Sequence, residues 1–108
     1  MASVQVATID EIPSGAMKAF PLDGTEVLVA NCGGVFYAVS NICTHMGGHL
    51  TEGKLDGFVV RCPRHGACFD VRTGDNVTSP KIGPLKMKAA DLQTYTVSVE
   101  GEAVSVSS

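Results

Sequence analysis

Apolar and polar positions alternate with a period of two near both ends of the chain. Residues 4–9 read VQVATI and residues 93–99 read QTYTVSV. Successive side chains on a strand point to opposite faces, so this alternation predicts half-buried β-strands. Residues 26–30 and 35–39 are denser in Val, Leu and Ala, and Asn31-Cys32-Gly33-Gly34 lies between them. Two apolar runs around a glycine pair predict a hairpin whose turn takes positive φ. Shorter β-rich runs follow at 58–60 (FVV) and 69–71 (FDV), and residues 103–106 return across Glu100-Gly101 as the partner of the 93–99 strand. Turn chemistry separates these runs at 10–15, at Leu55-Asp56-Gly57 and at 72–75. Residues 87–92 could form one helical turn, and no internal repeat or heptad pattern is present. Many short strands with Gly and Pro turns predict an all-β fold, an antiparallel sandwich or barrel.

A length of 108 residues fits one domain with a modest core, read as 1–108. The net charge of -3 offers no basic footprint for nucleic acid. No apolar run approaches the length of a membrane span, and the first 15 residues lack the basic region and unbroken apolar stretch of a secretion signal. A cytoplasmic protein that binds neither nucleic acid nor membrane is the expectation.

The chemistry is concentrated between residues 41 and 70. Cys43 and His45 form a Cys-x-His pair, Cys62 and His65 a Cys-x-x-His pair, and sixteen residues separate the two. Each pair offers one thiolate and one imidazole, side chains that together ligate metals. A structural zinc site accepts two Cys and two His, but commonly groups Cys with Cys and His with His. A Rieske 2Fe-2S centre needs the mixed arrangement, with two Cys on one iron and two His on the other. The spacing favours the iron-sulfur centre, with zinc as the alternative. Cys32 and Cys68 have no second ligand type at a useful spacing and are read as reduced, partly buried residues.

The string CTHMGGHLTEGKLDG, with CPRHGACFDVRTG after it, resembles the Rieske signature, including Leu50, Gly53, Gly66, Phe69-Asp70 and Thr73-Gly74. The chain is similar to the small Rieske ferredoxins of bacterial aromatic ring-hydroxylating dioxygenase systems. The resemblance implies the Rieske fold, an antiparallel base carrying a cluster-binding subdomain at about residues 40–78. It implies one 2Fe-2S cluster, with Cys43 and Cys62 on the inner iron and His45 and His65 on the outer, reducible one. The implied role is electron transfer without catalysis of its own, from a reductase, flavin- and NADH-dependent, to a terminal oxygenase with its own Rieske centre. The small subunit of a nitrite-reductase-like system is the runner-up.

In the respiratory branch of the family each loop carries a further Cys, joined as a disulfide; Gly48 and Arg64 stand at the matching positions. Hydroxyl donors to the cluster sulfurs in that branch are matched here by Ala67 and Phe69. Their absence implies a potential at the low end of the Rieske span, about -150 mV. Gly47 and Gly48 would let backbone N–H groups approach the cluster sulfurs. Residues 79–84 (SPKIGP) resemble the family's proline loop that covers the cluster, and the join at 85–92 is longer than the family's usual one. Met46 and Pro63 are candidates for an apolar rim beneath a partner. His49, four residues beyond His45, is read as an ordinary surface histidine rather than an alternative ligand or docking contact.

Overall fold

A computed structural model describes residues 3–22, 24–42, 49–63, 68–78, 81–82, 85–86 and 92–107. Twelve strands are present among them, together with two short 3-10 turns at Ile9–Glu11 and Leu50–Glu52. The strands are β1 (Val4–Thr8), β2 (Met17–Leu22), β3 (Thr25–Cys32), β4 (Val35–Ser40), β5 (Lys54–Asp56), β6 (Val59–Arg61), β7 (Cys68–Asp70), β8 (Asn76–Thr78), β9 (Lys81–Ile82), β10 (Leu85–Lys86), β11 (Thr94–Glu100) and β12 (Ala103–Ser107). No helix among the described residues is long and apolar enough to cross a membrane.

Six strands form the base in the order β1-β12-β11-β4-β3-β2, and every neighbouring pair is antiparallel. A second sheet, β5-β6-β7-β8, is built by successive antiparallel pairing, and β9 and β10 make a separate two-stranded ribbon. The all-β expectation and the antiparallel base with a smaller sheet beside it are both met.

The alternating segments become β1 and β11, and these strands, like β12 between them, turn one face to the core: Val104 and Val106 are fully buried while their neighbours on β12 are partly exposed. The continuous run from Val27 to Ala30 has a different cause. Val27 and Val29 pack into a cluster with Ala7, Ile12, Leu22, Ala38, Val104 and Val106. Leu28 and Ala30 face the other way, into a cluster with Val39, Leu50, Val60, Cys62, Phe69, Val71 and Leu92. A strand buried on both faces has no polar alternation to show. This second cluster takes residues from both sheets, so the small sheet is packed on the base by shared apolar surface. Each fully buried large side chain in it contributes about 1.5–3 kcal/mol.

The predicted hairpin is formed by β3 and β4, with Gly33 and Gly34 at φ 68° and 99°. Three elements differ from expectation. Strand β2 was not anticipated: Lys18 and Pro21 interrupt its apolar pattern, and the missing N–H of Pro21 is tolerated because β2 is an edge strand. Residues 54–56, expected to lead into and begin a turn, form β5, because Leu55 opposite Val60 supplies the packing that Lys54 and Asp56 do not; the turn falls at Gly57-Phe58. Strand β8 follows the 72–75 turn and pairs with β7. Strand β1, at the other edge of the base, changes register between Gln5 and Ala7. The 79–84 loop is described only at Lys81 and Ile82, and the possible helical turn at 87–92 only at Leu92; the remainder of both lies outside the described residues.

Candidate metal centre

Of the four candidate ligands, Cys62 lies within the described residues, and Cys43, His45 and His65 lie outside them, as do Met46, Gly47, Gly48, Arg64, Gly66 and Ala67. What the structure describes is the frame from which both ligand loops spring.

The first loop leaves the base at the end of β4 and returns at His49, where an isolated antiparallel bridge pairs Ile42 with His49. Its neck is organised by Asn41, which is 1% exposed. The Asn41 N–H donates to the Glu26 carbonyl at 3.0 Å, and its carbonyl accepts from the Leu50 N–H at 2.8 Å. Its side-chain Oδ1 accepts from the Thr51 N–H at 3.0 Å, and its Nδ2 donates to Glu26 Oε1 at 2.8 Å. Because the Thr51 N–H can only donate, the orientation of the amide is determined. His49 Nδ1 lies 3.1 Å from the same Glu26 oxygen and 3.4 Å from Asn41 Nδ2. The donation from Asn41 holds the Glu26 carboxyl below its usual range, with the nearby imidazole adding to the effect.

The second loop rises from the β6-β7 hairpin, whose last pair is Arg61 with Cys68. Cys62, just past β6, is 1% exposed and belongs to the cluster that joins the two sheets. Leu50, just after the first loop, and Phe69, just after the second, are fully buried in that same cluster. Thus the flanks of both loops share one apolar floor.

Gly53 explains how closely the two stems approach. A Cβ at this position would overlap the Arg61 carbonyl oxygen, with the Arg61 carbonyl carbon at 3.0 Å and Pro63 Cδ at 3.2 Å. The chain leaving the first loop therefore runs in direct contact with the chain entering the second. Gly74 makes a similar approach at the far side of the small sheet: its carbonyl accepts from the Leu92 N–H at 2.7 Å, and at φ +80° an added Cβ would run into the Leu92 carbonyl.

A polar and aromatic clamp supports the small sheet from below. Phe58, in the β5-β6 turn, meets the Tyr37 ring of β4 edge to face, with centroids 6.2 Å apart at 82°. Arg72 lies over the other part of this contact, its guanidinium carbon 4.2 Å from the Phe58 centroid, and binds the Asp70 carboxylate through Nε at 3.0 Å and Nη2 at 2.8 Å. The Arg72 hydrogen bonds hold the Asp70 carboxyl below its ordinary range. Burial pushes the thiol of nearby Cys32 up, in keeping with a protonated, partly buried residue. Cys68 is also partly buried.

The donor set fits a two-iron cluster: two stems in backbone contact present loops that each carry one thiolate and one imidazole. The sequence pattern does not mark Asn41 and Glu26 as a pair. The only local signal is a polar Asn two residues ahead of Cys43, and the position of Glu26 beside it depends on the register of β3 with β4.

Comparison with known proteins agrees with this frame. The chain is 35% identical over 106 residues to the biphenyl 2,3-dioxygenase ferredoxin component of Rhodococcus jostii, covering 98% of this chain and 92% of that protein. Its structure resembles the ferredoxin of carbazole 1,9a-dioxygenase from Nocardioides aromaticivorans, with a TM-score of 0.82 and 35% identity over 98% of this chain and 97% of the other. It also resembles, at a TM-score of 0.86 and 31% identity, a chain in a complex of reduced oxygenase and oxidized ferredoxin in carbazole 1,9a-dioxygenase, covering 96% of this chain and 91% of that one. The model of the Rieske 2Fe-2S domain matches residues 2–104, and with the mixed-ligand loops on a shared stem this places the chain in the Rieske family.

Proposed function

We propose that this chain is the electron-transfer ferredoxin of an aromatic ring-hydroxylating dioxygenase system, a cytoplasmic electron carrier without a catalytic site of its own. Its partners are a flavin- and NADH-dependent reductase and a terminal oxygenase with its own Rieske centre. The observation that carries this reading is the likeness, over nearly the full length of both chains, to ferredoxin components of dioxygenase systems. The solved complex of an oxygenase with a ferredoxin supports the oxygenase as a partner class.

In this reading the chain is a single domain, and residues of about 40–78 hold the cluster through Cys43, His45, Cys62 and His65. The thiolates of Cys43 and Cys62 bind one iron and the imidazoles of His45 and His65 the other. When bound, such a cluster supplies one-electron chemistry at a potential set by its ligands and surroundings. The protein's own residues provide the support. Leu50, Cys62 and Phe69 form a dry floor that excludes water from the buried side. Gly53 keeps the stems in contact, and Asn41 closes the first neck.

The test is direct. Purified protein should be red-brown, hold about two irons and two acid-labile sulfides per chain, and bleach with dithionite. Added to a reductase and a terminal oxygenase, it should restore aromatic dihydroxylation, and alone it should turn over no substrate. A colourless protein with one zinc, or full activity of the other two components without it, would overturn the reading.

A further inference from the structure

We propose that Asn41, acting on Glu26, is a positioning residue for the first ligand loop, and that this one hydrogen bond governs how firmly the chain retains its iron. The inference rests on the assignment of Cys43 as a ligand. Asn41 stands two residues before Cys43, and its four hydrogen bonds divide evenly. Two go to Glu26 on β3, anchoring the limb that enters the loop to the base sheet. Two come from Leu50 and Thr51, drawing in the limb that leaves it. The Ile42–His49 bridge lies between these anchors, so the width of the neck is set by a residue that touches both sides and is itself buried.

A buried amide whose every polar atom is matched is costly to disturb, because an unmatched group loses water without gaining a partner. The bond to Glu26 is also charge-assisted, which makes it the strongest of the four. His49 adds to the same oxygen from the solvent side, where its side chain is 45% exposed, and is not needed to satisfy Asn41.

The geometry allows a test by reversal of polarity. Asn41→Asp keeps the size and the three other hydrogen bonds, that at Oδ1 among them, but sets a carboxylate oxygen against Glu26 Oε1 at the present 2.8 Å. Glu26→Gln alone turns its amide oxygen to Asn41 and keeps a neutral bond. Asn41→Asp with Glu26→Gln restores a donor and an acceptor with their roles exchanged and the same total charge. Iron release to a chelator should be about tenfold to a hundredfold faster in Asn41→Asp, only slightly faster in Glu26→Gln, which loses the charge assistance but keeps the bond, and close to wild type in the double variant. The electron paramagnetic resonance line shape of the reduced cluster should broaden in Asn41→Asp and sharpen again in the double variant.

Retention of iron by Asn41→Asp at the wild-type rate, or a double variant no better than the single, would overturn the proposal. If Asn41→Asp does not fold, recovery of folded, iron-loaded protein in the double variant supports it and failure of that recovery overturns it. Wild-type protein without iron would sink the cluster assignment and this inference together, whereas iron-loaded wild type beside an indifferent Asn41→Asp sinks this inference alone.

Discussion

Replacing Gly53 by alanine tests whether the two ligand loops share one stem. The added methyl has no free direction: it overlaps the Arg61 carbonyl oxygen and is bounded by the Arg61 carbonyl carbon at 3.0 Å and Pro63 Cδ at 3.2 Å. Both obstacles are stiff, one a backbone group held by the Lys54–Arg61 strand pair and the other a proline ring. Relief requires the β5-β6 pair to open, which forfeits ladder hydrogen bonds at the root of the second loop. Overpacking of this kind costs about 3 kcal/mol, the upper part of the usual range. For a domain of this size that lowers Tm by about 12–20 °C. Gly101→Ala is the control: its φ of 61° makes alanine strained, but nothing lies within 4 Å of the new Cβ, so about 1 kcal/mol is expected. Calorimetry on both variants, with iron content measured on the same samples, reads the difference. Gly53→Ala should lose iron as well as stability, whereas Gly101→Ala should lose only a little stability. A Gly53→Ala protein within about 0.5 kcal/mol of wild type would refute the contact.

Phe58→Ala should lower the urea unfolding free energy by roughly 1–2 kcal/mol, since it removes the edge-to-face contact with Tyr37 and the covered part of a ring that is 39% exposed; an unchanged midpoint would show that the clamp contributes nothing. Glu11, Glu26 and Asp70 all have folded-state pKa values below their ordinary ones, through hydrogen bonds from the Thr8 backbone, Asn41 and Arg72 respectively. A depressed carboxylate stabilises the fold above its unfolded pKa and loses that contribution as pH falls through the folded value. Stability should therefore decline below about pH 4.5, and Arg72→Gln should flatten that decline in acid titrations followed by circular dichroism. Phe69→Tyr adds a hydroxyl to the buried cluster that contains Cys62 and should raise the midpoint potential in protein-film voltammetry, as should Ala67→Ser; unchanged potentials with intact cluster spectra would remove both positions from the account of redox poise.

The strands that could be read from sequence are those whose own residues carry the pattern. Residues 93–99 alternate because β11 buries one face, and residues 27–30 are continuously apolar because β3 buries both. Strand β2 is hidden by Pro21 and Lys18, which are admissible because, among the described residues, no strand pairs with its outer side. Strand β5 was hidden because its polar residues are held in place by pairing with β6 rather than by propensity. The candidate ligand set stands out in the sequence for a chemical reason, since Cys and His at short fixed spacing are rare outside metal sites. Its support was not. Glu26 and Asn41 are fifteen positions apart and meet through strand register, and a polar residue at a strand end reads as solvated. His49 is exposed as expected, yet its ring faces Glu26, which no local pattern reveals.

Among the described residues the base sheet ends in two unpaired edges, β1 and β2, and these bear on how this protein meets others. An unpaired strand edge is a template for another strand, and two copies with bare edges can zip together through their backbones. Here β2 presents Pro21, which has no N–H to offer, and the charged Lys18, while the register change between Gln5 and Ala7 twists β1 away from straight pairing. Both flanks are thereby poor surfaces for adhesion. Strand addition by a second copy is therefore disfavoured on these two flanks, and contacts there are left to side chains rather than to the backbone.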